Sequence, residues 1–148
     1  MRALLAFVVA ALGLAVAADA PAGTGKPTPL FEMNEGGDQL SFFAPETTRL
    51  LRPNPGGSPK VCQSDLPRNG NMWSGVDVTN AFAKPDVGAA FARSATFSTS
   101  GAPATFVSGG KTVTFDPTCK TCSAPGTDVA AFESMMRGVL MNRRLLCP

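Results

Sequence analysis

The sequence predicts a small α+β domain stapled by disulfides, in which antiparallel hairpins and a meander are covered by a C-terminal amphipathic helix. Three observations carry this expectation. Residues 94–115 alternate Thr and Phe between Gly turns, the period of two that half-buried strands require. After Cys122 the apolar spacing changes to about 3.6 residues, the period of a helix. Four cysteines follow an N-terminal segment shaped like a secretory leader, and cysteines delivered to an oxidising compartment are expected as bridges rather than thiols or metal ligands.

The leader is residues 1–17. Arg2 precedes an apolar run from Ala3 to Val16 that ends in a small-residue A-x-A site. The run is shorter than the roughly 20 apolar residues of a membrane span, so cleavage is expected to release a chain with no span. Residues 18–29, rich in small residues, Gly and Pro, read as a flexible leader. Residues 30–148 read as one disulfide-stabilised domain, the default for about 130 mature residues.

Within that domain, residues 30–43 alternate apolar and polar positions around Asn34-Glu35-Gly36-Gly37-Asp38 and predict a hairpin. Residues 52–59, with three Pro and two Gly, lack backbone donors and predict a loop that ends near Cys62. Residues 65–93 have no clear period. A short helix is expected to begin near Pro85-Asp86, with Val87, Ala90 and Phe91 on one face. Three short strands, 95–99, 104–107 and 111–115, predict an antiparallel meander. Asp128 is a plausible N-cap for a helix from Val129 to about Leu146, with Val129, Phe132, Met136, Val139, Leu140 and Leu146 on a broad apolar face. Glu133 and Arg137 stand four residues apart, and Arg143 and Arg144 suit the negative end of the helix dipole.

Cys62, Cys119, Cys122 and Cys147 allow three pairings, which spacing alone leaves open. The preferred expectation joins Cys62 and Cys147 each to one member of the Cys119/Cys122 pair, tying the long loop and the chain end to the sheet–helix junction. The alternative joins Cys119 to Cys122 and Cys62 to Cys147. The C-x-x-C string Cys119-Lys120-Thr121-Cys122 also admits a thiol–disulfide oxidoreductase, in which a helix N-terminus and nearby cations lower a thiolate pKa. Ser123-Ala124-Pro125-Gly126-Thr127 separates it from the predicted helix, and the βαβ context of thioredoxin-like redox motifs is missing. A four-thiolate zinc site lacks a second C-x-x-C pair, so no metal or other cofactor is expected.

The chain contains no His and no Tyr, which removes triads, Cys-His pairs, metal-histidine sites and phenol chemistry. Carboxylates remain, but no pair of them stands out as a glycosidase pair. The expectation therefore leans away from an enzyme. Trp73, the single Trp, lies beside Met72 in a Gly-, Asn- and Ser-rich stretch. The two residues are candidate binding positions for a protein or glycan partner, with a place in the core as the plainer alternative. Met135, Met136 and Met141 read as core filler before they read as a groove.

Arg49-Leu50-Leu51-Arg52 resembles the R-x-L-R string of secreted oomycete effectors. The resemblance covers four residues, and the acidic E-E-R segment found in those proteins does not follow. The plainer reading, an Arg pair flanking two Leu that close a strand or turn, is kept. The formal charge is +2, and removal of Arg2 leaves twelve basic against eleven acidic residues. Such a balance is not the footprint of a nucleic-acid binder. The functional expectation is thus a small secreted interaction or structural protein, extracellular or periplasmic, of the effector or envelope-component kind. The alternatives are the oxidoreductase and a carrier that holds a small apolar ligand between sheet and helix.

Overall fold

The computed structural model describes residues 27–43, 47–65 and 75–147. The leader 1–17, most of 18–29, and the candidates Met72 and Trp73 lie outside the described residues. In chain order the elements are β1 (Phe31–Glu35), β2 (Asp38–Phe43), β3 (Thr47–Arg52), β4 (Lys60–Asp65), α1 (Gly75–Phe82), α2 (Pro85–Ala92), β5 (Thr96–Ser98), β6 (Ala104–Ser108), β7 (Lys111–Asp116) and α3 (Thr127–Leu146). The strands form one sheet in the order β4-β3-β2-β1-β6-β7-β5. All neighbours are antiparallel except β5 and β7. The α+β class and the helix covering the sheet are as expected.

Period-two burial gives the sheet one apolar face. Phe31, Met33, Leu40, Phe42, Leu50, Phe106, Val113 and Phe115 are buried on it. Val87, Ala90 and Phe91 of α2 and Val129, Phe132, Met136, Val139 and Leu140 of α3 belong to the same core cluster. Phe31 is the hub: its ring lies within 5.3–6.2 Å of Phe42, Phe82, Phe91, Phe106 and Phe132. Offset and edge contacts of this kind add to the burial term of each ring.

The predicted hairpin is β1–β2, closed by Gly36 and Gly37 at φ +61° and +85°. Two successive positive φ values are what a two-residue turn between twisted strands needs, and glycine adopts them without strain. The Pro- and Gly-rich loop is also present, at residues 53–59, but it joins two strands, β3 and β4, that the sequence reading did not assign. α1 was unassigned too.

Four expectations are corrected. The meander does not run in chain order: β6 and β7 form a hairpin, while β5 lies on the far side of β7 and pairs with it in parallel. α2 delivers the chain to that edge, where the Ala95 carbonyl accepts a hydrogen bond from the Thr114 N–H, so β5 enters the sheet from outside the hairpin. The N-cap of α3 is Gly126, whose carbonyl accepts from the Ala130 N–H, and Asp128 lies in the first turn. Leu146 is exposed, because the inward stripe at the end of α3 runs through Arg143 to Cys147, four residues on, and leaves Leu146 off it. Finally, Cys62 bridges Cys147 and Cys119 bridges Cys122, the alternative pairing. Cys62 lies on β4 in register with Leu50, on the edge that the end of α3 reaches, whereas Cys119 and Cys122 remain in the loop between β7 and α3.

Candidate functional site

The β1–β2 turn places Glu35 and Asp38 against α3. On that helix Glu133, Arg137 and Arg144 are spaced by four and seven residues, which sets them on one stripe. Arg137 hydrogen-bonds Glu133 Oε1 through Nη2 at 2.8 Å, pairs with Glu35 through Nη1, and donates to the Ala102 carbonyl at 2.6 Å. Thr99 adds a hydroxyl donor to Glu133 Oε1 at 3.0 Å. Arg144 donates from Nε to Asp38 Oδ2 at 2.6 Å, and from Nη1 and Nη2 to Glu35 Oε1 and the Glu35 carbonyl, both at 3.0 Å. Burial pulls the Arg144 guanidinium down, but hydrogen bonds and charges from Asp38 and Glu35 outweigh it and hold its pKa above the ordinary value.

Asp38 is also approached by Arg52, whose Nε lies 3.4 Å from Oδ1. Arg52 Nη1 donates to the Cys147 carbonyl at 2.8 Å, so the sheet, the helix end and the Cys62–Cys147 bridge meet at one side chain. A cavity of about 640 Å³ opens here, lined by Asp38, Arg52, Asn54, Lys60 and Arg144 among others. Three cations thus face one carboxylate, and both oxygens of that carboxylate are engaged by guanidinium groups. A carboxylate whose two oxygens are each approached by a guanidinium group ties strand, turn and helix together.

Arg143, one residue before Arg144, points toward β4. It is buried, pairs with the Ser64 hydroxyl and donates to the Asp65 carbonyl at 2.8 Å. Its Nε has no hydrogen-bond partner among the described residues. Burial lowers its pKa from the ordinary value, opposed by the charge of Asp65. The two adjacent arginines therefore fasten α3 to different strands, a role that the helix-dipole reading had not included.

At the other end of the helical layer is a smaller apolar cavity of about 200 Å³. Phe31, Phe42, Phe43, Val78 and Phe82 line it, with Ser108 at its polar rim. Its volume lies below the roughly 300–1,000 Å³ of typical small-molecule pockets.

Cys119 and Cys122 are half-buried in the β7–α3 loop, and Lys120 beside them is exposed. The Asp116 carboxylate shapes this loop by accepting from the Thr118 N–H at 2.8 Å and its hydroxyl at 2.7 Å. The Thr118 side-chain and backbone hydrogen bonds hold the Asp116 carboxyl below its ordinary range, against a small raising effect of burial. Four residues separate Cys122 from the first residue of α3, so neither sulfur sits on the helix's first turn, where its dipole acts.

Among the described residues no helix is long and apolar enough to cross a membrane, and no group of three or more His, Cys, Asp or Glu side chains is placed to hold a metal ion. Met136 is buried in the core, Met135 packs against it and Met141 is exposed. The R-x-L-R string lies on β3, with Leu50 in the core and Arg52 in the charged cavity. Arg52, Lys60 and Arg144 were not singled out as site residues from sequence. The available signal was the spacing from Arg137 to Arg144, together with the placement of Arg52 and Lys60 at the two ends of a turn-rich segment.

No protein family model matches the chain, and no match emerges among curated proteins or solved structures.

Proposed function

We propose that the chain is an exported, non-enzymatic binding module that acts outside the cytoplasm. The observation that carries this reading is the charged cavity: three cations and a committed carboxylate surround an open space of about 640 Å³, on a frame fixed by a disulfide that joins residues 85 positions apart. Its one acid, Asp38, is held by two arginines, which supports recognition over acid–base chemistry. The leader-like residues 1–17 and the two bridges support an oxidising destination. The test is to express the full chain with its own leader, recover it from the export compartment, and read its intact mass and ligand-dependent thermal stability. The expected product lacks the leader, carries four oxidised cysteines and shifts its Tm with a saturable ligand. A product retained in the cytoplasm with free thiols sinks the reading.

A second reading is favoured by one observation. Cys119 and Cys122 are joined to each other, as a thiol–disulfide oxidoreductase requires. That reading calls for a low-pKa thiolate after mild reduction and for catalysis of disulfide reduction in a protein substrate by an added dithiol. A thiol that titrates near the ordinary cysteine value of about 8.5, with no catalysis, removes it.

A further inference from the structure

We propose that the charged cavity is an oxyanion site, in which a phosphate, sulfate or carboxylate group of a small ligand sits between Lys60 and Arg52. The proposal rests on the binding-module reading and names the chemistry of what is bound.

The argument begins with strand register. Arg52 on β3 and Lys60 on β4 are directly opposed across an antiparallel pair, and both line the cavity. Like charges in directly opposed positions destabilise a sheet, because the side chains leave the backbone about 5 Å apart on the same face. The nearby acid, Asp38, pairs with Arg52 and Arg144 and not with Lys60. Asp38 accepts from Arg144 at 2.6 Å and lies 3.4 Å from Arg52, and the Lys60 ammonium makes no hydrogen bond or ion pair among the described residues. Arg52 uses Nε toward Asp38 and Nη1 toward the Cys147 carbonyl, which leaves Nη2 as a spare donor. An ammonium with three N–H donors and the two N–H donors of Arg52 Nη2 then face the same space. A bound oxyanion accepts from both and turns their repulsion into two charge-assisted hydrogen bonds. Arg52 is held in place beforehand by Asp38 and Cys147, so little side-chain ordering remains to be done on binding.

The test is calorimetric titration of the full oxidised chain with inorganic phosphate, sulfate and malonate, against chloride at equal ionic strength. Thermal unfolding is followed alongside. Saturable binding of at least one of the three is expected, with affinity falling as salt rises from about 50 to about 200 mM. Lys60→Gln is expected to weaken binding about tenfold, the value of one charge-assisted hydrogen bond, and to leave the fold intact because the side chain is exposed. Without anion, Lys60→Glu is expected to raise the Tm above wild type by relieving the opposed charges. A preference for malonate assigns a carboxylate ligand, and a preference for phosphate or sulfate assigns a tetrahedral one. Two results overturn the site: no response beyond chloride, or a response that Lys60→Gln and Lys60→Glu leave at its wild-type strength. If the exported, oxidised protein instead binds a neutral ligand with Lys60 irrelevant, the oxyanion site is lost while the binding-module reading stands.

Discussion

The two disulfides use the same residue at similar Cα separations, 6.0 and 5.5 Å, yet they hold different things. Cys62–Cys147 joins an edge strand to the end of the longest helix across 85 positions, and Cys147 is buried. Cys119–Cys122 closes a turn across three positions in a half-buried loop already shaped by Asp116. A bridge contributes to the fold according to the chain freedom it removes from the unfolded state and the elements attached to its ends. In the chain-entropy model the long loop corresponds to about 4.5 kcal/mol and the short one to about 2 kcal/mol. One is a tie between layers, and the other sets local shape.

The largest expected effect tests the first half of that contrast. Cys62→Ala with Cys147→Ala is expected to lower unfolding stability by about 4.5 kcal/mol in urea titrations and to free the Cys147 carbonyl from Arg52. A loss no greater than that of the short bridge would mean that α3 is held at its end by packing and arginines alone. Cys119→Ala with Cys122→Ala comes next, with a loss of about 2 kcal/mol at most and an unchanged far-ultraviolet circular dichroism spectrum. A larger loss would make the short bridge a fold-level tie after all.

The non-covalent fastening of α3 gives a third point of comparison. Arg137→Ala removes ion pairs to Glu35 and Glu133 and the contact with the Ala102 carbonyl. The guanidinium is partly exposed and solvent screens its charge, so the expected loss is about 1 kcal/mol, shrinking as salt is added. A salt-independent loss would point to packing of its aliphatic stem. The smallest effect is the acid response of the short-bridge loop. The folded pKa of Asp116 is depressed, so its ionised form is the one that the fold favours. That contribution is complete above the ordinary value of 3.8 and is lost as pH falls through the lower folded value. Nuclear magnetic resonance titration is expected to place the Asp116 midpoint below 3.8, with the Thr118 amide exchanging faster on the acid side. A midpoint at or above 3.8 would show that Thr118 does not hold the carboxylate in solution.

Elements whose own residues repeat with a clear period were legible. The β1–β2 hairpin announced itself by alternation around two glycines, α2 by Pro85-Asp86, and the buried stripe of α3 by Val129, Phe132, Met136, Val139 and Leu140. β4 was not legible: Lys60-Val61-Cys62-Gln63-Ser64-Asp65 is an exposed edge with little apolar content, so it carries almost no burial pattern to read. α1 was missed because Gly75, Thr79 and Asn80 are poor helix formers, and the helix is stabilised by packing against its neighbours. The charged cavity was legible only in fragments. Glu133–Arg137 was visible within one helix, but the meeting of Arg52, Lys60 and Arg144 draws on two strands and a helix.

By itself the sequence determined the class of the domain, the β1–β2 and β6–β7 hairpins, the covering helix and most of that helix's inward stripe, because burial of a half-apolar segment is written in that segment's own period. Only the tertiary structure decided which cysteines meet, on which side of β7 the strand β5 lies, and which arginine and lysine oppose one another. Loop-closure entropy changes only slowly with loop length, so spacing alone does not select among pairings. Strand register and the path of α3 across the sheet do, and both are set by how the whole apolar face closes.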